Sequence, residues 1–243
     1  MTFSAEKNEG MIREDGVMTI RIDDSLYPER LKSLEEPPRV LYARGNVELL
    51  DADFCTVITG TENVSMKGMD VAIGLSNLLS GRGHVIISGL GRGSDTGAHL
   101  GCIGAGGRTI AVLNYPVTQV ESSENKALAD RILQNGGLLL SAFDDGDELD
   151  DGGEARGRIM AALGDGMIVI ESFSSETVLM NTIRCAIDMD KAVGAYRHPG
   201  GFDMTETSEG NEYLIKECGV VPVRNIKDAE KLASAVEEKR RKK

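Results

Sequence analysis

Apolar residues fall in short runs, and the segments between the runs carry them at helical spacing. The runs predict strands at 17–22, 40–43, 55–59, 84–88, 109–113, 138–141, 167–171, 192–196 and 220–223. The intervening periodicity predicts helices near 67–80, 94–105, 123–135, 155–163, 177–188 and 209–218, and a charged amphipathic helix over 227–239. Strands alternating with helices imply βαβ units, hence a doubly wound, mostly parallel α/β sheet in three layers. The acidic, glycine-bearing stretch 144–153 reads as an exposed loop. Three regions follow: an extension over 1–26, a Rossmann-like domain over 27–226 and a terminal charged helix over 227–243.

Glycines cluster at the ends of the apolar runs, which suits tight strand-to-helix turns. In a doubly wound sheet, ligands bind beyond the carboxyl ends of the strands, so the candidate chemistry lies in those turns. Gly60-Thr61-Glu62 opens a helix and is either a plain βα turn or a phosphate-binding one. Ser88-Gly89-Leu90-Gly91-Arg92-Gly93-Ser94-Asp95 is far denser in glycine and polar residues than a turn requires. In it, Ser94 or Asp95 can cap the following helix, Arg92 can pair with phosphate, and His99 shares a helix face with Asp95. The loop lacks the Gly-Lys-Ser/Thr of a Walker loop and the spacing of a dinucleotide fingerprint. Ser172 to Thr177 offers hydroxyls, Ser174 among them, for capping or phosphate contact, although Glu176 would repel an anion.

The 243 residues carry a net charge of −12, with 4% aromatics and no Trp. That balance opposes indiscriminate duplex binding and leaves few stacking platforms for bases. Cys55, Cys102, Cys185 and Cys218 are widely spaced, which predicts buried thiols in a reducing, cytoplasmic setting, with no metal site or disulfide framework. No run reaches membrane-spanning length, and no signal peptide is visible. The residues offer no convincing catalytic set, and neither a metal nor a cofactor is expected.

Taken in order, these segments resemble the DNA-processing protein A (DprA/Smf) family over roughly residues 27–223. The resemblance rests on Tyr27-Pro28-Glu29-Arg30-Leu31, Leu41-Tyr42-Ala43-Arg44-Gly45, the Ser88 to Asp95 loop with Ala98-His99, and Gly107-Arg108-Thr109-Ile110. It continues through Arg156-Gly157-Arg158-Ile159, Val169-Ile170-Glu171, His198-Pro199-Gly200 and Gly210-Asn211-Glu212-Tyr213. It implies a homodimer that binds single-stranded DNA and hands it to a RecA-type recombinase during DNA uptake and recombination. It also implies a phosphate pocket drawn from Gly60, Thr61, Ser88, Gly89, Gly91, Arg92, Gly93, Asp95, His99, Asn125, Arg156, Arg158 and Ser174. The chain departs from the family inside that pocket. Glu62 stands where an arginine is usual, Glu176-Thr177-Val178-Leu179 replaces Ser-Gly-Ser-Leu, and Gly157 parts the arginines of an Arg-Asn-Arg run. The family's C-terminal winged helix is expected to be absent. Two alternatives stay open: a nucleotide or nucleotide-derivative sensor on the same fold, and an enzyme similar to the lysine-decarboxylase-like phosphoribohydrolases, suggested by Pro199-Gly200-Gly201 and Glu206.

Overall fold

The computed structural model describes residues 10–122, 125–198 and 209–242. Its strands are β1 (Met11–Ile12), β2 (Met18–Arg21), β3 (Val40–Gly45), β4 (Cys55–Thr59), β5 (Val85–Ser88), β6 (Thr109–Val112), β7 (Leu138–Ser141), β8 (Gly166–Val169), β9 (Ala192–Tyr196) and β10 (Val221–Val223). Its helices are α1 (Met66–Gly81), α2 (Ser94–Gly104), α3 (Lys126–Gln134), α4 (Gly152–Leu163), α5 (Thr177–Asp188), α6 (Glu209–Glu217) and α7 (Ile226–Arg241).

The strands form one sheet in the order β1-β2-β3-β7-β6-β5-β4-β8-β9-β10. From β7 to β10 every pairing is parallel, and β1, β2 and β3 add an antiparallel margin. The doubly wound α/β class expected from the alternation is therefore the class observed. Chain order reverses at β4, which lies between β5 and β8, and this is where such sheets open a crevice at their carboxyl edge.

Strand periodicity assigns the two faces. Val57, Leu138, Leu140, Met167 and Val169 point into one core with Ile159 and Leu163 of α4, Ile183 of α5 and Leu31. Their neighbours Ile58, Ile168 and Ile170 point the other way, onto Ala72 and Leu79 of α1, Ala98 of α2 and Leu232 of α7. Leu139 and Ala111 meet Leu128 and Ile132 of α3 on that second side. Both faces are covered, so the central strands are apolar throughout rather than alternating.

The flanks pack on the same sheet. Ile20 of β2 is fully buried, and α7 buries Ala229, Leu232, Ala233 and Val236. Asn225 caps α7 by accepting from Asp228 N. His84 joins α7 to the sheet: its Nδ1 lies 2.8 Å from Thr56 Oγ1 and its Nε2 3.2 Å from Glu237 Oε1. Arg82 also holds Glu237, at 2.7 Å.

Several boundaries differ from the sequence expectation. Helix α4 begins at Gly152, inside the expected loop, because the pair Gly152-Gly153 hides the first turn from any propensity argument. Gly152 is needed there, since a Cβ would sit 2.5 Å from Asn114 O. The helix expected from 123 begins at Lys126. Strand β1 is too short to leave a periodic signal. Pro199, Gly200, Gly201 and Glu206 lie outside the described residues.

Candidate functional site

The turns after β4, β5 and β8 meet at the reversal point. Thr61 is where they join. Its N–H donates to Glu171 O at 2.7 Å, and its carbonyl accepts from Ser94 N at 3.3 Å and Ser94 Oγ at 3.1 Å. Its hydroxyl donates to Glu176 Oε1 at 2.8 Å. Thr61 is 1% exposed, so it fastens loops together and leaves little surface for a ligand.

The glycine loop is shaped around Asp95. Thr59 Oγ1 donates to Asp95 Oδ1 at 3.0 Å, and Gly91 N approaches Oδ2 at 3.3 Å. Ser88 Oγ lies 2.9 Å from Asp95 Oδ1 and 2.6 Å from Ile58 O, so two acceptors share its one proton. The carboxylate fills the room a side chain at position 89 would need: a Cβ there would be 2.4 Å from Asp95 Oδ2. Gly93 has φ +66°, and a Cβ on it would be 2.3 Å from Glu62 O. At both positions close approach excludes larger residues. Gly93 stands at the N-cap of α2 without a side-chain cap, so neither Ser94 nor Asp95 takes the capping role expected of them.

His99 is fully buried beneath this loop. Its Nε2 lies 2.5 Å from Gly89 O and its Nδ1 2.8 Å from Thr109 Oγ1. A carbonyl only accepts, so Nε2 carries the proton toward Gly89 O, while the one proton of the Thr109 hydroxyl is contested between Nδ1 and Ile86 O, which lies 2.8 Å from Oγ1. Burial holds the His99 pKa below the ordinary imidazole value, with the Gly89 hydrogen bond and Asp95 acting the other way. Ser88, Asp95 and His99 thus shape the loop from below. Ser88 and His99 have no exposed surface with which to touch a ligand.

Above the loop lies a cleft of about 300 Å³ lined by Thr59, Gly60, Glu62, Asp95, Arg156 and Met160, with residues 176–179 and Thr182 on the far wall. Arg156 projects from α4 so that its Nη1 comes within 3.0 Å of a Cβ built on Gly89. It is half-buried and, among the described residues, makes no ion pair or hydrogen bond. Arg92 is exposed on the loop itself, and Asn125 Nδ2 donates to Leu90 O. Ser174 is exposed beyond the β8 turn, its N–H donating to Glu209 Oε2 at 2.9 Å. Arg158 is not part of this assembly. Two residues along α4 from Arg156, it points onto another face, 3.6 Å from Asp151 in a groove with Leu34 and Tyr42.

Glu176, at the N-cap of α5, accepts from Phe173 N at 2.9 Å as well as from Thr61 Oγ1. Its carboxylate is held by the preceding turn and by Thr61, and it makes no capping hydrogen bond to the first N–H groups of α5. Two further residues organise the edge and were quoted in the sequence motifs without being assigned to the site. Glu171, 3% exposed, accepts from Ser65 N at 2.8 Å and Ser65 Oγ at 2.6 Å, closing the start of α1. Asn211 Nδ2 reaches Ile170 O at 2.8 Å and Tyr196 O at 2.9 Å, pinning the ends of β8 and β9 to α6. Long-range pairing of this kind leaves no spacing signal in a sequence.

The family model for DNA recombination-mediator protein A matches residues 18–234. The chain belongs to that family. Among curated relatives, it is 35% identical to DNA processing protein DprA of Bacillus subtilis over 65% of this chain and 54% of that protein. It is 34% identical to DprA of Streptococcus pneumoniae over 80% of this chain and 67% of that one. The chain thus spans between about half and two thirds of the length of these relatives. The solved structure of the S. pneumoniae protein superposes with a TM-score of 0.76 at 29% identity, covering 88% of this chain and 73% of that one. DNA processing protein A from Helicobacter pylori, in a structure concerned with that protein's single-stranded DNA binding mode, gives 0.77 at 23% identity, covering 92% and 96%. The second likeness speaks for the fold. Among the described residues, no helix is long and apolar enough to cross a membrane, and no cluster of His, Cys, Asp and Glu could hold a metal ion.

Proposed function

We propose that this DNA-processing family member binds single-stranded DNA in the cleft between the glycine loop and α4, as a binding protein rather than an enzyme. The observation that carries this reading is Arg156, a half-buried guanidinium with no carboxylate partner among the described residues, lining the crevice at the reversal point of the sheet. A cation held there without a partner is complementary to a phosphate. Arg92, exposed on the loop, adds a second phosphate contact. Delivery of the strand to a RecA-type recombinase by a homodimer is the setting that family membership supports.

A titration of a single-stranded oligonucleotide against a panel of free nucleotides, at two salt concentrations, tests the proposal. The expected result is oligonucleotide binding that weakens steeply with salt. Tight binding of one free nucleotide with none of the oligonucleotide would instead favour a nucleotide sensor. That second reading has support in the cleft volume, which matches a small-molecule site, and in the carboxylates of Glu62 and Glu176, which oppose a run of phosphates.

A further inference from the structure

The cleft that the proposed function assigns to a strand is also lined by an anion that has no protein partner among the described residues. Glu62 is exposed, lines the cleft, and among the described residues makes no hydrogen bond or ion pair. It differs in this from Glu176, whose oxygens are taken by Thr61 and Phe173. Glu62 Oε1 lies 3.4 Å from a Cβ built on Gly91, as Arg156 Nη1 lies 3.0 Å from one built on Gly89. Two residues of chain span at most about 7 Å. An unpaired cation and an unpaired anion therefore flank one short stretch of glycine loop, within reach of a single ligand, and they do not pair with each other.

An ionised carboxylate only accepts hydrogen bonds, whereas a phosphate oxygen at Glu62 would be repelled. The part of a ligand that lies against Glu62 must present N–H or O–H. We infer that the cleft holds one nucleotide unit with its phosphate on Arg156 and a hydrogen-bond donor on Glu62, which makes Glu62 the residue that sets which nucleotides are preferred. This rests on the proposed assignment of the cleft to nucleotide binding. The donor is either a base amine or a sugar hydroxyl. Cytosine offers an exocyclic amine. Thymine offers a single ring N–H between two carbonyl oxygens that would face the same carboxylate. A ribose 2′-hydroxyl is a donor that a deoxyribose lacks.

The test is fluorescence anisotropy with four labelled oligonucleotides of equal length: oligo(dC), oligo(dT), oligo(rU) and oligo(dU). A base amine at Glu62 gives oligo(dC) about tenfold tighter than oligo(dT), the effect of one charge-assisted hydrogen bond. A sugar hydroxyl instead gives oligo(rU) tighter than oligo(dU) by a similar factor. In Glu62→Ala the preference disappears while oligo(dT) and oligo(dU) bind as well as before or better, because repulsion has been removed; a misfolded variant would lose all four. Equal binding of all four strands by the parent protein, or a preference that survives Glu62→Ala, overturns the inference and leaves the strand-binding proposal standing. Absence of binding to every strand overturns the proposal itself and the inference with it.

Discussion

Replacing Asp95 by alanine tests whether the glycine loop is held from below. Asp95 is 6% exposed and accepts from Thr59 Oγ1, while Ser88 Oγ can fall back on Ile58 O. The variant therefore loses one full hydrogen bond to a charged acceptor, worth about 1.5–3 kcal/mol, and leaves the Thr59 hydroxyl buried without its acceptor. The weaker Gly91 N contact and the favourable charge in the first turn of α2 add about 0.3–1 kcal/mol. A total near 3 kcal/mol corresponds, for a chain of this size, to a fall in Tm of about 10 °C. Asp95→Asn keeps the shape and one acceptor oxygen, so it should lose roughly half as much. Thermal unfolding followed by circular dichroism measures both. A melting point for Asp95→Ala within about 2 °C of the parent would refute the claim that this carboxylate supports the loop.

Acidification should weaken the fold, because burial depresses the pKa of both His84 and His99. Folding lowers the proton affinity of both rings, so the unfolded chain binds more protons as pH falls toward its ordinary histidine pKa, near 6.5. Stability is full above that pH and falls as pH drops through it; urea midpoints equal at pH 7.5 and 5.5 would contradict this. Gly101→Ala should destabilise by about 1–3 kcal/mol, since a Cβ there would lie 2.2 Å from Ile73 O where α1 and α2 touch. Gly74→Ala meets nothing within 4 Å and should stabilise α1 by about 0.5–1 kcal/mol; paired urea titrations decide. Glu62→Arg with Glu176→Ser should tighten single-stranded DNA binding, steepen its salt dependence and cost some stability without DNA, since Thr61 and Phe173 lose their shared carboxylate. Unchanged affinity in that double variant would mean that neither carboxylate competes with phosphate.

Much of the fold was legible because both faces of the sheet are covered. Runs such as Leu138 to Leu140 are apolar without alternation, and the helices between them are amphipathic. Lost from view were the elements that depend on partners far along the chain. Strand β1 exists through its pairing with β2, and the reversal at β4 is set by the pairing of β4 with β8, more than a hundred residues later. In the candidate site, the glycine density of 89–93 drew attention to a loop that borders the cleft, but residue type could not separate support from contact. Ser88, Asp95 and His99 carry polar groups suited to a ligand and spend them on the protein. Arg156 and Arg158 look equivalent as letters, yet a two-residue step on a helix turns them about 200° apart, which leaves Arg156 in the cleft and Arg158 outside it.

The central claim is that a strand phosphate sits on Arg156. It is tested most directly by the salt dependence of single-stranded DNA binding in the parent and in Arg156→Ala. The account predicts about tenfold weaker binding at low salt and a slope of log K against log salt that is shallower by about 0.7, the loss of one phosphate contact on a single strand. Identical affinity and identical slope in the two proteins would contradict it.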